Sequence, residues 1–292
     1  MAFRSTSTPI LLGTSILVGL ALSLAGCEKT PTASKLSIQV HSAPENASTV
    51  NSVLVSGQQE AILFDTQMTQ QQAAKVVEMI RQSGKKLTTV VISHPHPDHL
   101  MGAPVIRAAF PDARFVAAAP VAALIESGGE ALRQAMVKRL GADRIADSVV
   151  VPNPLEGDTL TLEGNEIRLV PMVPGESAAA IVAYIPSLKA LIANDVVYNG
   201  VHLWLRERRY DGWKENLATL KTLGEIETVY PGHGQSGGPE LIDSTRQYID
   251  EFIAAAELVQ NAAGTIQAMR AKYPAHKCGY CLKFAAEARF SE

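Results

Sequence analysis

The stretch Ser93-His94-Pro95-His96-Pro97-Asp98-His99-Leu100 carries three histidines and an aspartate within six residues, directly after an apolar segment at residues 88–93. Clustered imidazoles are costly to bury and repel one another when charged, so packing alone does not account for them. A bound metal resolves both problems. In an extended loop alternate residues point the same way, so His94 and His96 can grip one ion while Asp98 and His99 turn towards a second. Pro95 and Pro97 restrict the loop and lower the entropy lost on binding.

Outward from this motif the pattern is α/β. Residues 36–40, 52–56 and 61–65 read as three short antiparallel strands, bounded by Pro, Asn or Gly. Residues 70–82 carry Ala73, Val76, Val77 and Ile80 on one helical face, with Gly84 as a stop. A buried strand over 88–93 delivers the motif to a loop at its end, where rigid sheets display polar chemistry. Helix is expected over 103–110, strand over 114–118, and helix over 120–140 with an interruption at Gly128-Gly129. Strands near 160–163, 166–173, 179–185 and 190–193 follow. A helix over 214–223, a short strand at Val229-Tyr230 and one long helical stretch over 239–273 complete the pattern.

The motif His94-x-His96-x-Asp98-His99 resembles the signature of the metallo-β-lactamase superfamily, and later landmarks stand in the same order. Asp195, in Ala193-Asn194-Asp195, matches the aspartate that bridges two metals, and His233, in Pro231-Gly232-His233-Gly234, matches the last histidine ligand. The resemblance implies a four-layer αβ/βα sandwich spanning residues 36–273 and metal-assisted hydrolysis of a small ester, lactone, thioester or β-lactam by a metal-bound hydroxide. Two zinc ions are the expected cofactors, with Mn2+ or Fe2+ as alternatives. The family's third histidine of the first site is missing: the segment reads Pro174-Gly175-Glu176-Ser177. Glu176 could replace it, since a carboxylate is an acceptable zinc ligand and suits harder ions; the alternatives are an emptier site, a water-mediated contact or a cap.

By the same resemblance Asp98 would hold one metal and orient or shuttle the proton, and Tyr198 would face the substrate oxygen. His202 and Trp204 follow closely and are candidate pocket residues, with His202 taken as catalytic. Asp65 reads equally as support behind the site or as a turn or cap before the helix at Gln70. His41 reads as structural or exposed. The competing functions are a mononuclear iron dioxygenase of the same superfamily and a non-catalytic metal-binding lipoprotein.

The chain has 292 residues, 47% hydrophobic and 19% charged, which is globular composition. Arg4 precedes an uncharged, mostly apolar run over residues 10–24, too short for a comfortable membrane span, so residues 1–26 read as a signal peptide. Leu24-Ala25-Gly26-Cys27 resembles the lipobox of bacterial lipoproteins, which implies lipidation at Cys27, a tether over residues 27–35 and a location facing the periplasm or cell exterior. Removing residues 1–26 takes away Arg4 alone among the charges, leaving a net charge of about −4. That balance argues against nucleic acid as a partner, and the small-molecule substrate is what the family resemblance implies. The segment 274–292 contains Cys278-Gly-Tyr-Cys281, which an oxidising compartment would let pair; His276 makes a small His-x-Cys-x-x-Cys metal site conceivable, without a local fourth ligand.

Overall fold

A computed structural model describes residues 1–6 and 35–291. The apolar run, Cys27 and most of the tether lie outside the described residues. The chain divides into two units, Met1–Thr32 and Ala33–Glu292. Residues 1–6 of the first carry no helix or strand, and the second holds every strand and helix described.

Two sheets form the centre. The first is ordered β1-β2-β3-β4-β5-β6, from β1 (Ser37–Ser42), β2 (Asn51–Ser56), β3 (Glu60–Phe64), β4 (Lys86–Val91), β5 (Arg114–Ala117) and β6 (Asn153–Pro154). Its first three strands are antiparallel, as their alternation predicts, and β3 to β6 are parallel. The second is ordered β11-β10-β9-β8-β7, from β7 (Thr159–Leu162), β8 (Asn165–Met172), β9 (Ala180–Ile185), β10 (Ala190–Tyr198) and β11 (Thr228–His233). Only the β10/β11 pair is parallel.

Because side chains alternate along a strand, each sheet has two apolar faces to bury. Val53, Val55, Ile62, Phe64 and Val91 of the first sheet meet Ile167, Leu169, Ile181, Ala183 and Ile192 of the second in one core. The intervening residues Leu54, Leu63, Val90 and Phe115 face outwards under α1 (Gln70–Ser83), α3 (Ala103–Ala109) and α4 (Ala119–Leu140). On the other side Val182, Tyr184 and Leu191 lie under α5 (Tyr210–Leu220), α6 (Glu240–Val259) and α8 (Gly279–Phe290), through Trp213, Phe252 and Leu282 among others. The result is the four-layer αβ/βα arrangement, in which each fully buried Leu, Ile, Val or Phe contributes roughly 1.5–3 kcal/mol.

Four expectations change. Helix α4 runs unbroken through Gly128-Gly129; a Cβ on Gly129 would lie 3.0 Å from Val149 Cγ1, so that glycine marks close packing. The long C-terminal stretch is two helices, α6 and α7 (Ala262–Lys272), because Gln260 is left-handed at φ 53° and Asn261 caps α7 through its bond from Gly264 N. Strand β10 continues past Ala193 to Tyr198. A last helix, α8, begins between the two cysteines of the Cys278–Cys281 disulfide, which removes the thiolates that a His276-x-Cys-x-x-Cys metal site would need.

Candidate metal centre and active site

Parallel pairing puts the C-terminal ends of β3 and β4, and of β10 and β11, at common edges of the two sheets, and the polar residues gather there. Asp65 follows β3, the histidine motif follows β4, Asp195 lies on β10, and His233 ends β11. The motif is only partly a loop: Pro97–Leu100 form one helical turn, α2, with His96 at its N-cap in an extended conformation. That switch from loop to turn aims His96 one way and Asp98 and His99 the other.

Asp195 owes its position to irregular backbone. The register of β10 against β11 shifts at Asn194, which sits at φ 45° with its amide held by Ile181 O, an irregularity that redirects the following side chain. On the neighbouring strand a Cβ at Gly232 would fall 1.8 Å from Asp195 Oδ1, so only glycine admits the carboxylate there. Glu176 comes from the loop between β8 and β9. Asn216 of α5 pins that loop by accepting from Val173 N (3.0 Å) and donating to Val173 O (2.9 Å).

Three overlapping donor groups form. His94, His96, Glu176 and Asp195 offer ligand atoms within 4.8 Å of one another, and so do Asp98, His99 and His233; Asp65, His94 and His99 make a third set behind these two. Asp195 reaches both: its Oδ2 lies 3.7 Å from His94 Nε2 and 3.2 Å from His233 Nε2, and its Oδ1 lies 3.1 Å from His99 Nε2. His96 Nδ1 and Glu176 Oε1 are 3.0 Å apart. The seven residues singled out as ligands in the sequence are therefore brought together, Glu176 among them.

Hydrogen bonds fix the free face of three imidazoles. Ser93 Oγ donates to Asp65 Oδ2 (2.7 Å) and so accepts from His94 Nδ1 (2.8 Å); His99 Nδ1 donates to the same Asp65 oxygen (2.7 Å), and His233 Nδ1 donates to Ser48 O (2.6 Å). Each ring is left with Nε2 facing the cluster. Asp65 thus stands behind the site, at φ 61°, a conformation aspartate tolerates, while Thr69 and not Asp65 caps α1.

The cluster fits cations. His94 Nε2, His99 Nε2, both Glu176 carboxylate oxygens and Asp195 Oδ1 are buried without a hydrogen-bond partner. Such orphaned atoms would cost several kcal/mol if nothing met them. Burial, then the neighbouring His99, hold the His94 imidazole well below its usual pKa and keep it neutral. Burial raises the Glu176 carboxyl, against the pull of His96. Burial also disfavours charge on His99, but Asp195 and Asp65 more than reverse this and hold its pKa well above normal.

His96, Asp98, Asp195 and His233 of these groups line a cavity of about 380 Å³. His96 and Asp98 are its open members, with side chains 20% and 17% exposed. Tyr198 also lines it, stacks on the His233 ring at 5.0 Å and donates its hydroxyl to Asp195 Oδ2 (2.7 Å). Trp204 forms pocket wall beside His96, with ring centroids 6.4 Å apart. His41 is half-buried and pairs with Gln72.

His202 is a correction: it turns away from the cavity, is buried, and pairs through Nδ1 with Tyr248 Oη (2.7 Å) beside His276. Burial, then His276 and Arg270, push its pKa down from 6.5 to about 4. The folded state therefore binds fewer protons than the unfolded state between those values, so stability falls as pH drops through this window. Discounted for screening, the loss is about 2 kcal/mol. In urea unfolding, His202→Gln is expected to lose less stability than the wild type between pH 7 and 4.5; parallel pH slopes would refute the assignment.

No pattern in the sequence signals the wall that α8 builds. Tyr280 and Phe284 line the cavity, and Tyr280 donates to Ser48 Oγ (2.9 Å), the residue whose carbonyl holds His233. Residues 48 and 280 are far apart in the chain, and nothing local links them.

This αβ/βα frame, with two His/carboxylate groups at the strand ends, defines a metallo-hydrolase. Residues 46–233 match the family model of the metallo-beta-lactamase superfamily, and the chain belongs to that superfamily. It is 23% identical over 210 residues to metallo-beta-lactamase type 2 of Bacteroides fragilis, covering 70% of this chain and 76% of that one. Among solved structures, a metallo-beta-lactamase from Pontibacter korlensis aligns with a TM-score of 0.58 at 19% identity, covering 76% of this chain and 97% of that one. TMB-1 aligns at 0.51 and 19% identity, covering 74% and 92%.

Proposed function

We propose that the protein is a dinuclear, zinc-dependent hydrolase of a small ester, lactone, thioester or β-lactam, exported and anchored through a lipid on Cys27. The observation that carries the hydrolase reading is the convergence of orphaned, buried donor atoms into two groups that share Asp195 beneath an open cavity. His94, His96, Glu176 and Asp195 would hold one ion, and Asp98, His99 and His233, again with Asp195, the other. Such ions polarise a carbonyl or phosphoryl oxygen and bring the pKa of water towards neutrality.

The chain's own residues divide the remaining work. Asp98 is the carboxylate most open to the cavity, so it is placed to take a proton from the attacking water and return it to the leaving group. Tyr198 orients Asp195 and presents its hydroxyl at the cavity floor, where it can turn to a substrate oxygen that gains negative charge. Asp65, Ser93 and Ser48 hold three imidazoles in the ligating tautomer, so little ordering remains when substrate arrives.

A second reading has one observation in its favour. Two histidines and Glu176 form a two-His, one-carboxylate set of the kind that binds non-haem iron. The complete second group beside it favours hydrolysis.

The deciding experiment measures metal content and turnover of a lactone, thioester and β-lactam panel as zinc, manganese or iron is restored. Two equivalents with metal-dependent hydrolysis are expected, both lost in His96→Ala. One iron with no ester turnover would replace the hydrolase by the oxygenase. Labelled palmitate incorporated in the wild type and absent in Cys27→Ser is the result expected for the anchor.

A further inference from the structure

The cavity above the metal centre has a wall that the family match does not include. Helix α8 lies beyond residue 233, where that match ends, yet its first two turns supply Tyr280 and Phe284 to the cavity. Trp204 packs edge-on to Phe284 at 5.8 Å and continues the wall towards His96. Opposite, α4 contributes Met136 and Arg139. The Arg139 guanidinium lies 5.5 Å from the Tyr280 ring centroid and 6.0 Å from that of Phe284, and no carboxylate pairs with it among the described residues.

The charge balance gives this arginine a purpose. The cluster contains four carboxylates, Asp65, Asp98, Glu176 and Asp195. Two divalent cations would neutralise them, which leaves the floor near zero, while on the rim Arg139 and Arg206 outnumber Glu207, which is itself paired with Arg209 at 3.3 Å. Arg206 reinforces that rim, stacked 6.0 Å from the Trp204 ring. An unpaired guanidinium held over aromatic faces is pre-ordered, and its planar fork matches a carboxylate with two parallel hydrogen bonds. With Glu207 also on the rim, the net positive charge there is small, which suits a singly charged group rather than a polyanion.

We propose that the substrate carries a carboxylate on an apolar, ring-bearing body, the carboxylate received by Arg139 and the body by the wall of Trp204, Tyr280 and Phe284. This deepens the hydrolase reading and rests on it for the bond that is cleaved. The binding subsite is testable on its own. The chain has two tryptophans, and Trp213 is buried in the core, so a change in indole emission on ligand addition reports Trp204.

The test titrates the full-length, metal-loaded protein with 3-phenylpropanoate and with its uncharged amide, following indole fluorescence. The acid is expected to bind at least about tenfold more tightly than the amide, as a charge-assisted bond to a guanidinium allows. Arg139→Gln should bring the ratio close to one, and Phe284→Ala should weaken acid and amide alike. Arg139 is exposed, so its replacement leaves the core intact. A ratio that Arg139→Gln does not change, or no saturable response to either ligand, overturns the proposal. Turnover of a neutral aryl ester on the same preparations separates the two readings. If esters are cleaved while the ratio is unaffected, the hydrolase stands and the subsite falls. If the ratio collapses but no ester is cleaved, the subsite stands and the hydrolase falls.

Discussion

Asp195→Asn is expected to lower turnover by at least about 10³-fold and to reduce bound metal below one equivalent, because it removes the one negative charge common to both donor groups. The carboxylate faces His99 through one oxygen, and His94, His233 and the Tyr198 hydroxyl through the other. Its pKa is held well below the usual range: burial opposes ionisation, but His99 and His233 outweigh it. Deleting such a buried charge can itself destabilise a fold by about 3–5 kcal/mol, so an alanine variant would confuse ligation with folding. Asparagine keeps the shape and one acceptor oxygen for Tyr198. Thermal unfolding of the metal-free variant gives the control, and metal content and turnover give the answer. A folded Asp195→Asn that keeps two equivalents and near-native turnover would remove the shared carboxylate from the mechanism.

The sequence shows this centre unevenly, for physical reasons. His94, His96, Asp98 and His99 are legible because their chemistry is local: four polar donors within six residues are hard to bury together without a cation between them. The central strands are legible because two-sided burial makes them continuously apolar. Asp195 and His233 are single residues whose motif partners lie about a hundred positions or more away, and only the family resemblance singles them out. His202 shows the converse hazard: four residues beyond Tyr198, the chain has left β10 and turned the ring to Tyr248. The break between α6 and α7 rests on Gln260 in a left-handed conformation, for which a glutamine gives no warning. Arg139 and the α8 wall are tertiary throughout, assembled by packing among segments with no shared pattern.

Glu176 offers the second large effect, because it is where this chain departs from a histidine site. Its carboxylate is buried, 3.0 Å from His96 and 3.7 Å from His94, with both oxygens lacking a hydrogen-bond partner. A buried carboxylate without a cation is expensive, and two flanking imidazoles compensate it only if they are charged, which costs burial again. A divalent ion meets all three donors together. Glu176→Gln keeps the volume and removes the charge, so the His94/His96 group should lose its ion while Asp98, His99 and His233 keep theirs. Metal content should fall from two equivalents to about one, with turnover down at least about 10²-fold. Glu176→His should behave differently, retaining two equivalents but exchanging a hard oxygen donor for a nitrogen. Its activity with manganese, relative to zinc, should fall at least about tenfold from the wild-type ratio. Parallel titrations of both variants with each ion decide the matter. If Glu176→Gln binds two ions as tightly as the wild type, the carboxylate is no ligand, and the first group reduces to His94, His96 and the shared Asp195.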